Sequence, residues 1–283
     1  MTILKDIKNC IAFLTKIPVN KEVDIFKEVA PKMWLFPIVG FILGIILSII
    51  GLFLLSFLPF LLVGFILLGL LLLMTGVHHA DGLFDFGDGL MVMGTPERKI
   101  EVMHDVNIGA GGFALGFIIL SLTGIAISYS MEYLIIALVL SEIGAKFNMV
   151  AVCSVGRSAK TKMVDQFIIS NKKKHLIMSL MLSIILILIT LFLIVFYNFI
   201  YDNIVLFRYV FSPISNVSPF NLYQCLSIFI VFLIGTAISL IIILNLANKH
   251  FNGLTGDCIG ALNEITRLTI LILFLVIDRI NLI

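Results

Sequence analysis

The segment between His78 and Gly89 carries the residues best suited to chemistry: two histidines and three aspartates that directly follow a long apolar stretch. On a helix each residue advances about 100°, so the side chains of Asp81, Asp85 and Asp88 share one face within about 60°. Carboxylates this close raise one another's pKa values unless a divalent cation neutralises them. The spacing therefore predicts a site for Mg²⁺, or a similar hard cation, that bridges to phosphate at a membrane boundary.

Glycines and histidines accompany these aspartates. Gly82 and Gly89 each follow a carboxylate directly, and without a Cβ atom they let a bulky ligand approach the backbone. His78 and His79 are adjacent, so only one of them can face the site on a regular helix. A zinc hydrolase is disfavoured, because three aspartates suit a harder ion and the sequence has no HExxH motif. The alternative is an acidic helix end that is merely exposed to the cytoplasm.

A second polar segment follows in the chain. Thr95 and Pro96 are the residue types of an N-cap and a first helical position, so they predict a short helix that runs to Asp105. The glycine-rich run 107–112, which includes Gly109, then enters the next span. Such a turn can present backbone N–H groups to a phosphate, which makes Asp105 and Gly109 candidates for the same site.

The third polar segment precedes the last apolar stretch. Thr255, Gly256 and Asp257 begin it, and Glu264 follows seven positions after Asp257, on the same helix face. Gly256 and Gly260 form a GxxxG pair, which predicts close helix packing whether or not the segment also binds a ligand.

One apolar stretch also contains two charged residues, Glu142 and Lys146, at a spacing of i, i+4. Two interpretations stay open. The side chains pair with each other, or Lys146 faces the acidic site and binds a substrate phosphate.

These segments belong to a strongly apolar chain. Of its 283 residues, 60% are hydrophobic and 13% are charged, and the mean hydropathy is +1.17. Because soluble domains carry about 25% charged residues, the sequence predicts an all-α, polytopic membrane protein in which residues 1–283 form one helical-bundle domain. The four cysteines have no CxxC spacing and are interpreted as small apolar residues. Lysines interrupt the N-terminal apolar stretch, which argues against a cleaved signal peptide.

About seven transmembrane helices are expected, since seven stretches are long and apolar enough to cross a bilayer. They cover residues 34–57, 60–77, 112–130, 133–152, 176–200, 222–246 and 265–283.

Lysine and arginine residues predict the orientation, because cytoplasmic segments are enriched in them. They are concentrated in the N-terminal amphipathic segment 1–33 and in the basic loop 153–175. A cytoplasmic N-terminus places both segments in the cytoplasm, together with the catalytic segment 78–111 and the motif segment 247–264. The sequence thus predicts a multi-pass protein of the plasma membrane whose active site faces the cytoplasm.

Carboxylates, glycine turns and a few cations on one membrane face are typical of phosphoryl transfer, in which a metal neutralises phosphates and a base assists the attacking hydroxyl. A cation-coupled transporter is the main alternative from another class, although its acidic residues would more often lie at the bilayer midplane. The CDP-alcohol phosphotransferases are a further alternative, but they share only residues 85–89, DFGDG, with this chain.

Several motifs occur in order along nearly the whole chain: FLTKIPV (13–19), FPIVG (36–40), TG (75–76), HADGLFD (79–85), DG (88–89), Met103, Asp105, Gly109, TGD (255–257), Gly260, Ala261 and Glu264. On these motifs the sequence resembles the cobalamin synthase family, the membrane adenosylcobinamide-GDP ribazoletransferases. It departs from the family pattern at Phe84, His104, Asn107, Lys146 and Asn252. His104 and Asn107 stand where arginines are common, so Arg98 or Lys99 would have to supply phosphate contacts there.

The resemblance implies a specific reaction. A ribose hydroxyl of α-ribazole, or of its 5′-phosphate, attacks the cobinamide-side phosphorus of adenosylcobinamide-GDP, and GMP leaves. The product is adenosylcobalamin or its 5′-phosphate. The implied cofactor is Mg²⁺ and the implied surroundings are the lipid bilayer, with no nucleic acid. A homo-oligomer, or association with other enzymes of the late vitamin B12 pathway, stays open.

The resemblance also implies roles for the residues. The expected metal ligands are Asp81, Asp85, Asp88 and Asp257, and Asp105 would complete the site or hold a second ion. His79 or a free carboxylate would act as the base. The expected substrate-binding residues are Lys146, Gly82, Gly89, Gly109, Thr255, Gly256 and Glu264.

Overall fold

The computed structural model describes residues 3–19, 25–160, 162–203 and 222–280. Within these ranges the chain forms α-helices, two short 3₁₀ turns and one isolated β-bridge, and no strand. The predicted all-α class is confirmed.

The described residues form twelve α-helices. They are α1 (Ile3–Leu14), α2 (Ile25–Val29), α3 (Phe36–Leu55), α4 (Phe60–Met74), α5 (His78–Met91), α6 (Pro96–Met103), α7 (Ala110–Tyr129), α8 (Leu134–Val155), α9 (Lys162–Ser170), α10 (Lys173–Asn203), α11 (Leu222–Phe251) and α12 (Gly256–Arg279).

Six segments of the described chain are each long and apolar enough to cross a membrane: Phe26–Leu55, Ala110–Tyr129, Met131–Val155, Lys173–Phe196, Tyr223–Phe251 and Gly256–Arg279. A seventh is counted only if α4 and α5 are taken together, and these two helices are bent by 94°. The predicted number of about seven agrees with this range. The connection between the predicted fifth and sixth spans falls largely on residues 204–221, and the predicted last span ends at residues 281–283, all outside the described residues.

The break between α4 and α5 corrects the predicted second span, 60–77. The chain leaves the helix at Gly76 and Val77, whose φ angles are 67° and 64°. This left-handed conformation is unfavourable for a β-branched residue such as Val77. A Cβ atom on Gly76 would lie 2.3 Å from Cε of Lys16, so the N-terminal segment packs directly against the break. We therefore treat α5, which turns away from α4, as lying outside the membrane-spanning segments.

Helix α8 is the centre of the bundle, and nearly all of its residues are buried. Helix α3 packs against it through glycines. A Cβ atom on Gly40 would lie 2.3 Å from the Glu142 carbonyl oxygen, and one on Gly44 would lie 2.6 Å from the Val139 Cα. Only glycine permits this contact, so α3 and α8 pack backbone to backbone.

Helix α12 begins at Gly256 rather than near residue 265, where the predicted span begins. Thr255 is its N-cap, since the Thr255 hydroxyl accepts a hydrogen bond from the Cys258 N–H at 3.2 Å. The polar residues of the first turns lower the hydropathy of the window, so the predicted span begins later, although Asp257 and Glu264 were predicted to share a helix face. Asp257 and Glu264 are consequently helical residues.

The lysine-rich segments and α5 lie at the same end of the bundle. Lys16 N–H donates to the Met74 carbonyl at 2.7 Å, immediately before the break. The rings of Phe26, on α2, and Phe167, on α9, have centroids 4.8 Å apart, which joins the N-terminal segment to the basic loop. All of these segments therefore share one face of the protein, as the sequence predicts.

Candidate active site

The acidic face of α5 meets the first turn of α12 through two glycines. A Cβ atom on Gly82 would lie 3.1 Å from the Asp257 Cα, and one on Gly260 would lie 3.3 Å from the Gly82 Cα. This close approach brings Asp257 into electrostatic contact with Asp81 and Asp85. The sequence separates these carboxylates by most of the chain, and the helix contact gathers them into one acidic cluster.

Asp85 has the most perturbed carboxyl group of α5. Its side chain is half-buried, and burial raises its pKa to about 7, with further contributions from the negative charges of Asp257, Asp81 and Asp88. A carboxyl group in this state binds a proton near neutral pH unless another cation takes its place.

The acidic cluster has the donor chemistry for a hard divalent cation: several carboxylate oxygens and an excess of negative charge. In the part of the chain that the structure describes, no group of three or more His, Cys, Asp or Glu side chains converges on one ion position. The carboxylates of Asp81, Asp85 and Asp257 nevertheless interact electrostatically, and their residue types fit such an ion.

Asp88 has a defined structural partner. Its two carboxylate oxygens accept hydrogen bonds from the backbone N–H groups of Gly109 at 2.7 Å and Gly112 at 2.8 Å. The side chain thus caps the N-terminus of α7, where an anion is favourable. The glycine-rich run was predicted to present backbone N–H groups to a phosphate, but these two N–H groups donate to Asp88. Its oxygens keep lone pairs for a cation.

Asp105 forms its hydrogen bonds within its own loop. The side chain is exposed, and it accepts hydrogen bonds from the backbone N–H of Asn107 at 3.0 Å and from the Asn107 amide at 2.9 Å. These bonds lower its pKa. The structure shows no contact between Asp105 and the acidic cluster among the described residues.

His79 points into the protein, whereas His78 is exposed. Only 7% of the His79 surface is accessible, and its Nε2 atom is buried with no hydrogen-bond partner among the described residues. Its nearest charged groups include Lys146 and Arg267. His79 therefore lies between the acidic cluster and a set of buried charges.

These buried charges form a network where α8 meets α12. Lys146 Nζ lies 3.6 Å from a Glu142 oxygen and donates to the Asn263 side-chain oxygen at 2.7 Å. Arg267 donates through Nε to Glu142 and through Nη1 to Glu264. All four charged side chains are at most 1% exposed, and the two anions balance the two cations. Such mutual neutralisation makes buried charges tolerable.

The network bears on two of the predicted substrate-binding residues. Lys146 pairs with Glu142, which was one of the two interpretations of their spacing, and Glu264 pairs with Arg267. None of these side chains reaches the surface. The sequence analysis did not assign a role to Arg267, although its spacing of i, i+3 from Glu264 within an apolar segment was the available signal.

The other predicted binding residues have packing or capping roles. A Cβ atom on Gly89 would lie 2.8 Å from Cγ of Met103, so Gly89 packs against α6 rather than opening toward a ligand. A Cβ atom on Gly256 would lie 2.6 Å from Cε of Met163, which is the mobile end of a side chain. Thr255 caps α12 and is fully buried.

The two cations expected to supply phosphate contacts from α6 are also engaged. The ammonium group of Lys99 is buried and donates to the carbonyl groups of Gly89 and Leu90, each at 3.3 Å, at the C-terminal end of α5. Arg98 pairs with Glu101 at 2.6 Å on the exposed face of α6. Lys99 therefore stabilises α5 and does not face a ligand.

Known proteins resemble the chain over nearly its full length. A sequence model of the family described as cobalamin-5-phosphate synthase matches residues 6–275. An adenosylcobinamide-GDP ribazoletransferase of Clostridium botulinum is 32% identical over 97% of this chain and 98% of its own. Proteins of the same name from Thermococcus kodakarensis, at 30% identity over 92% of this chain and 94% of the relative, and from Methanocella arvoryzae, at 29% over 95% and 94%, are also similar. No solved structure matches.

Proposed function

The chain belongs to the cobalamin-5-phosphate synthase family, and we propose that it is a membrane-bound adenosylcobinamide-GDP ribazoletransferase. The family match over residues 6–275 carries this proposal. It favours this enzyme over the two alternatives, a CDP-alcohol phosphotransferase and a cation-coupled transporter. The acidic cluster at one end of the bundle supports the same conclusion, because a transfer between phosphates needs a site that holds cations.

In the proposed reaction, a ribose hydroxyl oxygen of α-ribazole, or of its 5′-phosphate, forms a bond to the cobinamide-side phosphorus of adenosylcobinamide-GDP. The bond between that phosphorus and the oxygen bridging to GMP breaks, and GMP leaves with the electron pair. The hydroxyl proton passes to a carboxylate oxygen of the acidic cluster. The corrinoid gains its nucleotide loop as adenosylcobalamin or its 5′-phosphate.

The carboxylates of Asp81, Asp85 and Asp257, with Asp88 beside them, would hold Mg²⁺. When bound, Mg²⁺ neutralises the diphosphate and the leaving phosphate. Asp88 has a second task in this proposal, since it also fixes the N-terminus of α7 next to the cluster.

We assign the base to a carboxylate rather than to His79, because the His79 Nε2 atom is enclosed by protein. His79 and the buried network, which includes Lys146 and Glu264, would then hold the contact between α5 and α12 in place. In this assignment the substrate phosphates are bound by groups other than Lys146.

We place the enzyme in the plasma membrane with its N-terminus and acidic cluster on the cytoplasmic side. The support is the distribution of basic residues. The two segments richest in lysine pack at the same end of the bundle as α5, and cytoplasmic segments of membrane proteins are enriched in lysine and arginine.

Release of GMP by the purified protein from adenosylcobinamide-GDP, with either acceptor and Mg²⁺, tests this function. Asp85→Asn should lower turnover at least about 100-fold, because it removes a charge from the group that holds the metal. Glu97→Gln, which removes an exposed carboxylate from α6, should leave turnover unchanged. Absence of GMP release by the wild-type protein would overturn the function, and full activity of a folded Asp85→Asn would overturn the metal assignment.

A further inference from the structure

The basic loop that follows α8 is joined to the segment that precedes α12. The Leu254 N–H donates to the Arg157 carbonyl at 2.7 Å, and the Ala159 N–H donates to the Leu254 carbonyl at 2.9 Å. These bonds form the parallel β-bridge between Ser158 and Leu254. A Cβ atom on Gly253 would lie 2.6 Å from the Ser158 carbonyl carbon, so glycine is needed for the contact. The two segments therefore form one backbone unit.

This unit lies next to the acidic cluster. Leu254 is followed directly by Thr255, the N-cap of α12, and Asp257 lies in the first turn of that helix. Met163, at the start of α9, contacts Gly256 from the other side. The bridge consequently joins the backbone of residues 157–159 to Leu254, three positions before Asp257 in the chain.

Next to the bridge, the exposed cations of this loop are Arg157 and Lys160, and neither forms an ion pair with a carboxylate that the structure describes. Arg157 Nε donates to the Asn248 side-chain oxygen at 3.0 Å, which orients the guanidinium group and leaves its terminal nitrogens available. Arg157 and Asn248 line an open cavity of about 400 Å³.

Lys160 is held in an unusual conformation. Its φ angle is 67°, in the left-handed region, and its backbone N–H donates to the Ser158 hydroxyl at 2.9 Å. A non-glycine residue keeps this conformation only when its surroundings fix it. The local backbone therefore fixes the position from which the lysine side chain extends, next to the bridge.

We propose that Arg157 and Lys160 form a phosphate-binding subsite beside Asp257. A planar guanidinium group matches two phosphate oxygens, and an ammonium group adds a point charge. The proposal rests on the proposed function, in which the reacting cobinamide-side phosphate of the donor lies at the carboxylates. The phosphate in the subsite would be a second one, either the 5′-phosphate of the acceptor or the GMP phosphate of the donor.

Steady-state kinetics with the two acceptors distinguish these sources. Arg157→Ala should raise KM at least about 10-fold, as expected for loss of a charged hydrogen bond. If KM rises for α-ribazole 5′-phosphate but not for α-ribazole, the subsite holds the acceptor phosphate. If KM rises for adenosylcobinamide-GDP whichever acceptor is used, the subsite holds the donor phosphate. Unchanged KM values for all three substrates would overturn the subsite.

Two further variants test whether a change in KM comes from altered folding or from the loss of any positive charge. Lys160→Gly removes the ammonium group and also suits the left-handed backbone, so it should fold while raising the same KM. Lys173→Ala removes an exposed lysine at the start of α10 and should leave every KM unchanged. An increase with Lys173→Ala as large as that with Arg157→Ala would overturn a local subsite.

A binding measurement separates this proposal from the proposed function. Inorganic phosphate should raise the thermal unfolding temperature of the wild-type protein, and Arg157→Ala should abolish that increase. This result stands even if the protein releases no GMP. Equal increases for the wild type and for Arg157→Ala would overturn the subsite, whatever the catalytic activity.

Discussion

The three aspartates of α5 share one sequence motif but differ in their surroundings. Asp81 is exposed, Asp85 is half-buried among other carboxylates, and Asp88 is hydrogen-bonded to the first turn of α7. Residue type and helical spacing placed all three on one face, and the tertiary contacts then gave each a different role. At Asp85, burial first and the neighbouring carboxylates second raise the pKa to about 7.

The raised pKa of Asp85 predicts how stability depends on pH in the metal-free protein. Its pKa is 3.8 in the unfolded chain and about 7 in the folded protein, so the folded protein binds the proton more tightly. Stability should therefore fall as the pH rises from about 4 to about 7. Asp85→Asn should remove this loss, by roughly 1 kcal/mol after allowance for solvent screening of a half-exposed group. Thermal unfolding of both proteins in detergent with a chelator, at several pH values, measures this difference in stability.

Asp105→Asn is the matched control for that prediction. Hydrogen bonds lower the pKa of Asp105. Its contribution to the stability of the folded protein is therefore present above its ordinary pKa and is lost only as the pH falls below that value. This variant should leave the slope of stability between pH 5 and 8 as in the wild type. A wild-type slope in Asp85→Asn, or a stability that does not change with pH in the wild-type protein, would contradict the assignment to Asp85.

At the scale of elements, glycines decide which helices touch. Gly40 and Gly44 allow α3 to contact the backbone of α8, and Gly82 and Gly260 do the same for α5 and α12. The second contact is the one that matters for chemistry, because it brings Asp257 to Asp85. The GxxxG pair of Gly256 and Gly260 predicted close packing, but the sequence does not tell which helix fills that face.

The contact between α5 and α12 can be tested by filling it. Gly260→Leu should push α5 away, lower stability by about 1–3 kcal/mol and reduce turnover, because overpacking forces the helices apart. Gly69→Leu is the control, since a Cβ atom on Gly69, in α4, meets nothing within 4 Å. Thermal unfolding and GMP release measure the two effects. Equal losses in both variants would show that the α5–α12 contact has no special importance.

The helices themselves were largely predictable, and their interruptions were not. Apolar stretches long enough to span a membrane predicted α3, α7, α8, α10 and α11 closely. Two boundaries differ: the second span was predicted to end at Val77 and its helix ends at Met74, and the last span was predicted to begin at residue 265 and its helix begins at Gly256. In both places tertiary contacts override local preference, through Lys16 at the first and through α5 at the second. A single sequence contains no record of those contacts.

At the scale of the whole molecule, the charged side chains inside the bundle are paired, whereas those of the acidic cluster at one end carry an excess of negative charge. The balanced network of Glu142, Lys146, Glu264 and Arg267 lies inside the bundle, where each charge has a partner. The acidic cluster lies at one end with an excess of negative charge, beside the basic loop. The sequence predicted that the polar motifs share one face. It could not predict that Lys146 belongs to the buried network, because i, i+4 spacing alone allows either arrangement.

The proposed orientation predicts which positions react with a membrane-impermeant thiol reagent. Gln166→Cys, exposed on α9 in the basic loop, should be labelled only when the cytoplasmic face is accessible. Glu132→Cys, exposed in the turn between α7 and α8 at the opposite end of the bundle, should be labelled only from the other side. The native cysteines should react little, since Cys10, Cys153 and Cys258 are buried, and Cys225→Ser removes the half-buried one.

Labelling of intact cells is then compared with labelling of inverted vesicles. Reversed accessibility of both positions would invert the orientation and place the acidic cluster outside the cytoplasm, where the proposed substrates and Mg²⁺ would have to be supplied from the exterior. Labelling of both positions from one side would instead contradict α8, which lies between them, as a crossing of the membrane.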